Sequence, residues 1–205
     1  MDTLTLPTAA GDARAYVDHA ALSVATLVLG HGAGGGSSAR DLVALAAALP
    51  TRGITVARVD QPWRVAGRRV APAPAVLDRA WLAAVPALLD RLPVTAALVV
   101  GGRSAGARVA CRTAGALRAA AVIALAFPLH PPGRPERSRA GELATGTPLL
   151  VIQGARDAFG RPGEFPTGVD VRSVPGGDHS FARGDLGPVV DLVADWIRAL
   201  PPDRL

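Results

Sequence analysis

The sequence contains no lysine and a single cysteine, and each scarcity removes a class of chemistry. All 22 basic residues are arginine, so a phosphate-binding loop of the Gly-Lys-Ser/Thr type is excluded. With Cys111 as the lone cysteine, no internal disulfide forms and no thiolate metal cluster can be assembled. Aromatic residues are few: four phenylalanines, three tryptophans and one tyrosine. The net charge of +5 invites a nucleic-acid reading, but the arginines are scattered. They group closely only as Arg64-Arg68-Arg69 and Arg134-Arg137-Arg139, and no stacking aromatics interleave with them. No nucleic-acid partner is expected. The longest apolar run, Ala119 to Leu129, is too short to span a bilayer, so no membrane partner is expected either. The segment Met1 to Pro7 carries neither the basic nor the long apolar region of a signal peptide. No His, Asp or Glu set has the spacing of a metal site, and no cofactor is called for. A soluble, cytoplasmic protein is the expectation.

What is present suits one globular domain. The chain has 205 residues, 49% of them apolar and 19% charged, enough for one substantial core and too few for two comfortable ones. A single domain over 1–205 is therefore expected, and nothing in the pattern specifies an oligomeric state. Leu4 to Leu6 and Ala13 to Val17 read as an antiparallel edge hairpin, with His19 beyond it as a surface histidine. Short apolar runs then recur at Ala25–Leu29, Ile54–Val59, Ala96–Val100, Ala121–Phe127, Pro148–Gln153 and Val169–Val174. Amphipathic helical patterns separate them. One carries Leu42, Leu45, Ala46 and Leu49, with Ser37 or Ser38 as its cap. Another carries Leu77, Trp81, Ala84, Val85, Leu88 and Leu92 and is bent at Pro86. The last runs from Leu186 to Leu200. Strands alternating with helices predict an α/β fold: a mostly parallel sheet with helices on both faces. The longest connection of the second half, Pro128 to Gly146, is too short for an independent lid domain.

The chemistry gathers at glycine-rich strand ends. After the run ending at Val100 comes Gly102-Arg103-Ser104-Ala105-Gly106, followed by a helical pattern with Gly106, Val109, Ala110, Thr113 and Ala114 on one face. Strand, sharp turn and helix place a serine hydroxyl at the apex of a strained turn, and the flanking glycines leave room for it. The helix aims its first free amides at any oxygen that gains negative charge. An earlier strand ends in Gly30-His31-Gly32-Ala33-Gly34-Gly35-Gly36, a loop whose backbone amides can approach a ligand closely. A dinucleotide fingerprint does not fit there, because Ser37 occupies the place of its last glycine. Gly154-Ala155-Arg156-Asp157 and Gly176-Gly177-Asp178-His179 end the last two strands. Parallel strands present their carboxyl ends together, so His31–Gly36, Ser104, Asp157 and His179 are expected at one edge of one sheet.

The order Ser104, Asp157, His179, preceded by a His-Gly-x-Gly-Gly loop, resembles that of the α/β-hydrolases over nearly the whole chain. It is most similar to the small, lidless, dienelactone-hydrolase-like branch. Gly101–Arg108 and Phe127–Gly133 are also similar to the hydrolase-like domain of testis-expressed and non-specific-lethal-complex proteins. Dienelactone hydrolases carry cysteine as nucleophile where this chain has Ser104, so lactone chemistry does not carry over. The resemblance implies a serine hydrolase of small-molecule carboxylic esters, thioesters included. Ser104 would be the nucleophile, His179 its base and Asp157 the group that orients the imidazole. The amide of Ala105 and one from the glycine loop, Ala33 or alternatively Gly34, would form the oxyanion hole. Asp178 reads as a turn residue, and His130 is the alternative base only if the order were broken. His31, Trp63, Arg103 and His130 are the candidates to line the substrate. Each has a plainer reading as well: His31 shapes the oxyanion loop, Trp63 packs over its own loop, and Arg103 forms a surface ion pair instead of selecting anionic acyl groups. The competing functional class is a non-catalytic interaction module that keeps the hydrolase scaffold.

Overall fold

The computed structural model describes residues 1–92, 97–182 and 184–201. Its centre is one eight-stranded sheet in the order β1-β2-β4-β3-β5-β6-β7-β8. The strands are β1 (Asp2–Leu6), β2 (Ala13–Asp18), β3 (Ala25–Gly30), β4 (Ile54–Asp60), β5 (Ala97–Arg103), β6 (Ala121–Leu125), β7 (Leu149–Gly154) and β8 (Asp170–Val174). β1 and β2 form the antiparallel edge hairpin, and β3 to β8 run parallel. Ala96, which the sequence pattern assigns to the start of the elbow strand, lies outside the described residues.

The inner strands are apolar on both faces because both faces are covered. On one side Leu27, Leu29, Val99, Ile123 and Ile152 pack under α1 (Arg40–Ala48) and α5 (Gly187–Arg198). On the other, Val28, Val100, Val122 and Val151 meet α3 (Pro74–Leu89) and α4 (Ala105–Thr113). A fifth helix, α2 (Pro62–Val65), is a single turn after β4. α3 runs on through Pro86 and buries the expected Leu77, Trp81, Ala84, Val85 and Leu88 together with Ala80, but it ends at Leu89, so Leu92 of the expected face lies beyond the helix, partly buried against the same cluster. The connection after β6 holds two short 3-10 turns, Pro135–Arg137 and Ala140–Leu143, and forms no separate lid domain there.

The cap expected for α1 is also corrected. Neither Ser37 nor Ser38 caps α1; the helix begins after Ala39, with no side-chain cap. Ser37 is drawn to Asp60 instead. Its amide donates to Oδ1 (2.7 Å) and its hydroxyl to Oδ2 (3.0 Å). Two charge-assisted bonds to a carboxylate outweigh one neutral cap, and they tie the glycine loop to the end of β4.

Candidate active site

β5 and β3 pair in register, with Gly30 opposite Gly102, and this close approach builds the elbow. A β-carbon on Gly102 would collide with the carbonyl of Gly30, and one on Gly106 would collide with both Gly30 and the carbonyl of His31. Only glycine fits at either place, which lets α4 turn back directly over the strand end. Between them Ser104 is forced to φ 52°, ψ −113°, a strained conformation for a residue with a side chain. Its amide is held by the Leu125 carbonyl at 3.0 Å, which fixes the turn against β6.

The strain is used to present the hydroxyl. Ser104 Oγ donates to His179 Nε2 at 2.9 Å, and His179 Nδ1–H donates to Asp157 Oδ2 at 2.8 Å. Three residues from the ends of β5, β7 and β8 thus form one continuous chain of hydrogen bonds. The Asp157 side chain is fully buried, whereas that of His179 is 23% exposed. The carboxylate has further donors: Gln153 Nε2 at 2.8 Å on Oδ2 and the Phe159 amide at 2.8 Å on Oδ1. Because Asp157 only accepts, the imidazole proton sits on Nδ1 and the lone pair of Nε2 faces the serine. That arrangement can withdraw a proton from Ser104 and stabilise the resulting imidazolium.

Sequence reasoning does not single out Gln153 or Phe159 as site residues. Gln153 lies inside an apolar run; its Nε2 donates to Asp157 and to the Gly160 carbonyl (2.8 Å), with the Phe127 carbonyl at 3.2 Å sharing one of the two hydrogens. Phe159 stacks on the His179 ring with centroids 4.2 Å apart. A glutamine four residues before the acid was the available signal for the first. Nothing in spacing pointed to the second.

The glycine loop lies against Ser104: a β-carbon on Gly32 would be 3.4 Å from Ser104 Cβ. Among the described residues, the amides of Ala33, Gly34 and Ala105 donate to no protein acceptor, so all three are free to meet an external oxygen. His31, buried, sets the loop's shape. Its Nδ1–H donates to the Gly32 carbonyl (2.9 Å) and its Nε2 accepts from the Gln61 amide (3.2 Å). Accepting that bond requires a neutral ring, and burial holds the pKa of His31 below its ordinary value against the pull of the Gly32 carbonyl and Asp60. Trp63 is 6% exposed and packs on the His31 ring at 5.4 Å between centroids.

His130 is joined to this cluster through its amide, which donates to the Phe159 carbonyl at 3.0 Å, but its ring is engaged elsewhere. Its Nδ1 meets the Pro131 carbonyl (2.9 Å) and its Nε2 meets Glu164 (2.8 Å). Both partners accept, so both ring nitrogens carry protons. The Pro131 carbonyl and Glu164 together raise its pKa, and neither nitrogen offers a lone pair to a base's task. Asp178 closes its own turn onto Ser180. Arg103 does form an ion pair, but an internal one. Its Nε donates to Asp41 Oδ2 (3.0 Å) and its Nη2 to the His179 carbonyl (2.6 Å). Cys111 is buried on α4, its thiol pushed up to about 12 chiefly by desolvation. Among the described residues no group of three or more His, Cys, Asp or Glu could hold a metal ion, and no helix is long and apolar enough to cross a membrane.

The alpha/beta hydrolase domain family model matches residues 23–186. The chain belongs to that family. Solved structures agree on the fold of this hydrolase domain. A lidless α/β serine hydrolase of Xanthomonas campestris is 24% identical, with 98% of this chain and 95% of that one covered and a TM-score of 0.78. A dienelactone hydrolase of Anabaena variabilis is 17% identical over 97% of both chains, with a TM-score of 0.76. A thermophilic esterase of Thermogutta terrifontis is 18% identical over 98% of this chain and 99% of that one, with a TM-score of 0.70. Among curated proteins, none matches this hydrolase significantly.

Proposed function

We propose that this hydrolase cleaves carboxylic esters, thioesters included, of small or medium acyl groups through an acyl-enzyme. The observation that carries the reading is the unbroken hydrogen-bond chain from Ser104 Oγ through His179 to Asp157, with the serine on its strained elbow. In this mechanism Ser104 Oγ attacks the acyl carbon while His179 Nε2 takes its proton. The carbonyl oxygen becomes an oxyanion held by the Ala105 amide and that of Ala33, or of Gly34 in its stead. As the intermediate collapses, the carbon–oxygen or carbon–sulfur bond breaks and His179 returns the proton to the leaving alcohol or thiol. Water then repeats the sequence on the acyl-serine and releases the acid. Asp157 keeps the imidazole oriented throughout.

The esterase and lidless serine hydrolase among the structural neighbours support an ester substrate, and the short connection after β6 supports a site open to soluble molecules. A cytoplasmic location, expected from the sequence, is part of the same proposal. Hydrolysis of p-nitrophenyl acetate by wild type and Ser104→Ala tests it. A loss on the order of a thousandfold or more is expected. Equal turnover by the two proteins would end the reading, and a folded wild type with no turnover on an ester and thioester panel would favour the non-catalytic interaction module.

A further inference from the structure

We infer that Arg103, anchored by Asp41, is a positioning residue that fixes the backbone of His179 relative to Ser104. The inference rests on the serine-hydrolase reading above and adds to it how the base is kept in register. His179 lies in the irregular segment between β8 and α5, and a loop of that kind wanders unless it is tied down. A base that must meet its nucleophile at hydrogen-bond distance tolerates little wandering: a displacement of about 1 Å costs about a hundredfold in rate.

The tie is a single planar group. Arg103 is the last residue of β5, paired with Leu125 of β6, and its backbone leads straight into Ser104. Its side chain, 14% exposed, reaches in the other direction to the His179 carbonyl at 2.6 Å. The same residue therefore determines where the nucleophile's backbone starts and where the base's backbone stops. Its Nη1 lies against the oxyanion loop, 3.2 Å from where a β-carbon on Gly32 would sit. A guanidinium is rigid and its donors are coplanar, so fixing Nε fixes Nη2.

Asp41 does that fixing. Its side chain is 1% exposed and accepts Arg103 Nε at 3.0 Å through Oδ2, while Oδ1 accepts the Leu42 amide at 3.0 Å. It sits in the first turn of α1, whose Leu42 and Leu45 are buried in the core. Burial raises the Asp41 pKa, and Arg103 opposes the rise, so each charge needs the other. The preceding residue braces the same loop from outside: Arg40 donates to the carbonyls of Phe181 (2.8 Å) and Gly184 (2.6 Å). With two of its nitrogens bound to protein acceptors, Arg103 is oriented toward the His179 loop rather than offered to a substrate anion.

The experiment measures kcat and KM of Arg103→Met, Arg103→Lys and Asp41→Asn on two esters of equal acyl length, one neutral and one carrying a carboxylate. Thermal melts establish that each variant is folded. Positioning predicts that Arg103→Met lowers kcat about a hundredfold with KM unchanged, by the same factor on both esters. Arg103→Lys, which keeps the charge but not the fork, retains an intermediate kcat, and Asp41→Asn falls in the same direction as Arg103→Met. Unchanged kcat in the folded variants overturns the inference, as does a loss confined to the anionic ester and expressed in KM, which would mark substrate selection. Should Arg103→Met fail to fold, Arg103→Lys and Asp41→Asn decide by the same criteria. Ser104→Ala separates the two levels: if it retains turnover, the serine-hydrolase reading fails, whereas an inactive Ser104→Ala beside fully active Arg103 variants removes only the positioning role.

Discussion

Asp157→Asn changes one atom in the centre of the site, and the surrounding hydrogen bonds dictate its effect on both stability and rate. The native carboxylate accepts on both oxygens, from His179 Nδ1 and Gln153 Nε2 on Oδ2 and from the Phe159 amide on Oδ1. An asparagine offers one acceptor and one NH₂ group. If its NH₂ faces His179 and Gln153, it opposes the Gln153 donor and forces the imidazole into the tautomer with its proton on Nε2, which cannot accept from Ser104. If it is turned over, its NH₂ opposes the Phe159 amide in a fully buried position. Either way a buried donor loses its partner, at about 1–3 kcal/mol. For a chain of this length each kcal/mol lowers Tm by roughly 2–4 °C. The rate suffers far more: the wrong tautomer costs about 10⁴-fold in kcat, or about 5 kcal/mol of barrier. The assay is ester hydrolysis near neutral pH beside a thermal melt. A folded Asp157→Asn protein with nearly native kcat would refute the assignment of Asp157 as the orienting carboxylate.

Three further outcomes are expected from the same structure. Gly106→Ala drives a methyl into the backbone of Gly30 and His31; overpacking of this kind costs about 1–3 kcal/mol, and because those atoms lead into the glycine loop beside Ser104, the loop proposed to hold the oxyanion, kcat should fall along with Tm. A melt and a rate indistinguishable from wild type would show that the elbow is looser than these contacts require. His31 has a folded pKa below its ordinary value of 6.5, so its contribution to stability is present above that pH and is lost as pH falls from there toward the folded value, at up to about 1.4 kcal/mol per pH unit. The stability difference between wild type and His31→Gln should therefore shrink between about pH 7 and pH 4; a constant difference in urea melts would mean that the ring is not held neutral. Cys111, its thiol pushed up to about 12, should resist iodoacetamide at about pH 8 in the native protein and react once unfolded. Rapid native alkylation would place it at the surface.

The parts legible in the sequence are those whose cause is local. Ala25–Leu29 and Ala121–Phe127 read as strands because a strand covered on both faces must be apolar throughout, and their glycine ends marked where loops begin. Ser104 was legible because its turn needs glycine on either side. Asp157 and His179 were legible because each follows a strand and the strand order puts both loops at one edge. The rest depends on partners far away along the chain. Arg103 looked like a surface cation because nothing beside it announces Asp41 or the His179 carbonyl, 62 and 76 residues distant. Ser37 looked like a helix cap until Asp60, 23 residues on, proved the stronger acceptor. Phe159 stacks on His179 through a loop whose course no periodicity encodes.

Everything turns on whether the hydroxyl of Ser104 is the activated one. Treating the native protein with a fluorophosphonate and locating the adduct by peptide mass spectrometry answers this directly. A single adduct on Ser104, absent in Ser104→Ala and strongly slowed in His179→Ala, is the predicted result; a folded protein that stays unlabelled, or labelling that persists in Ser104→Ala, would contradict it.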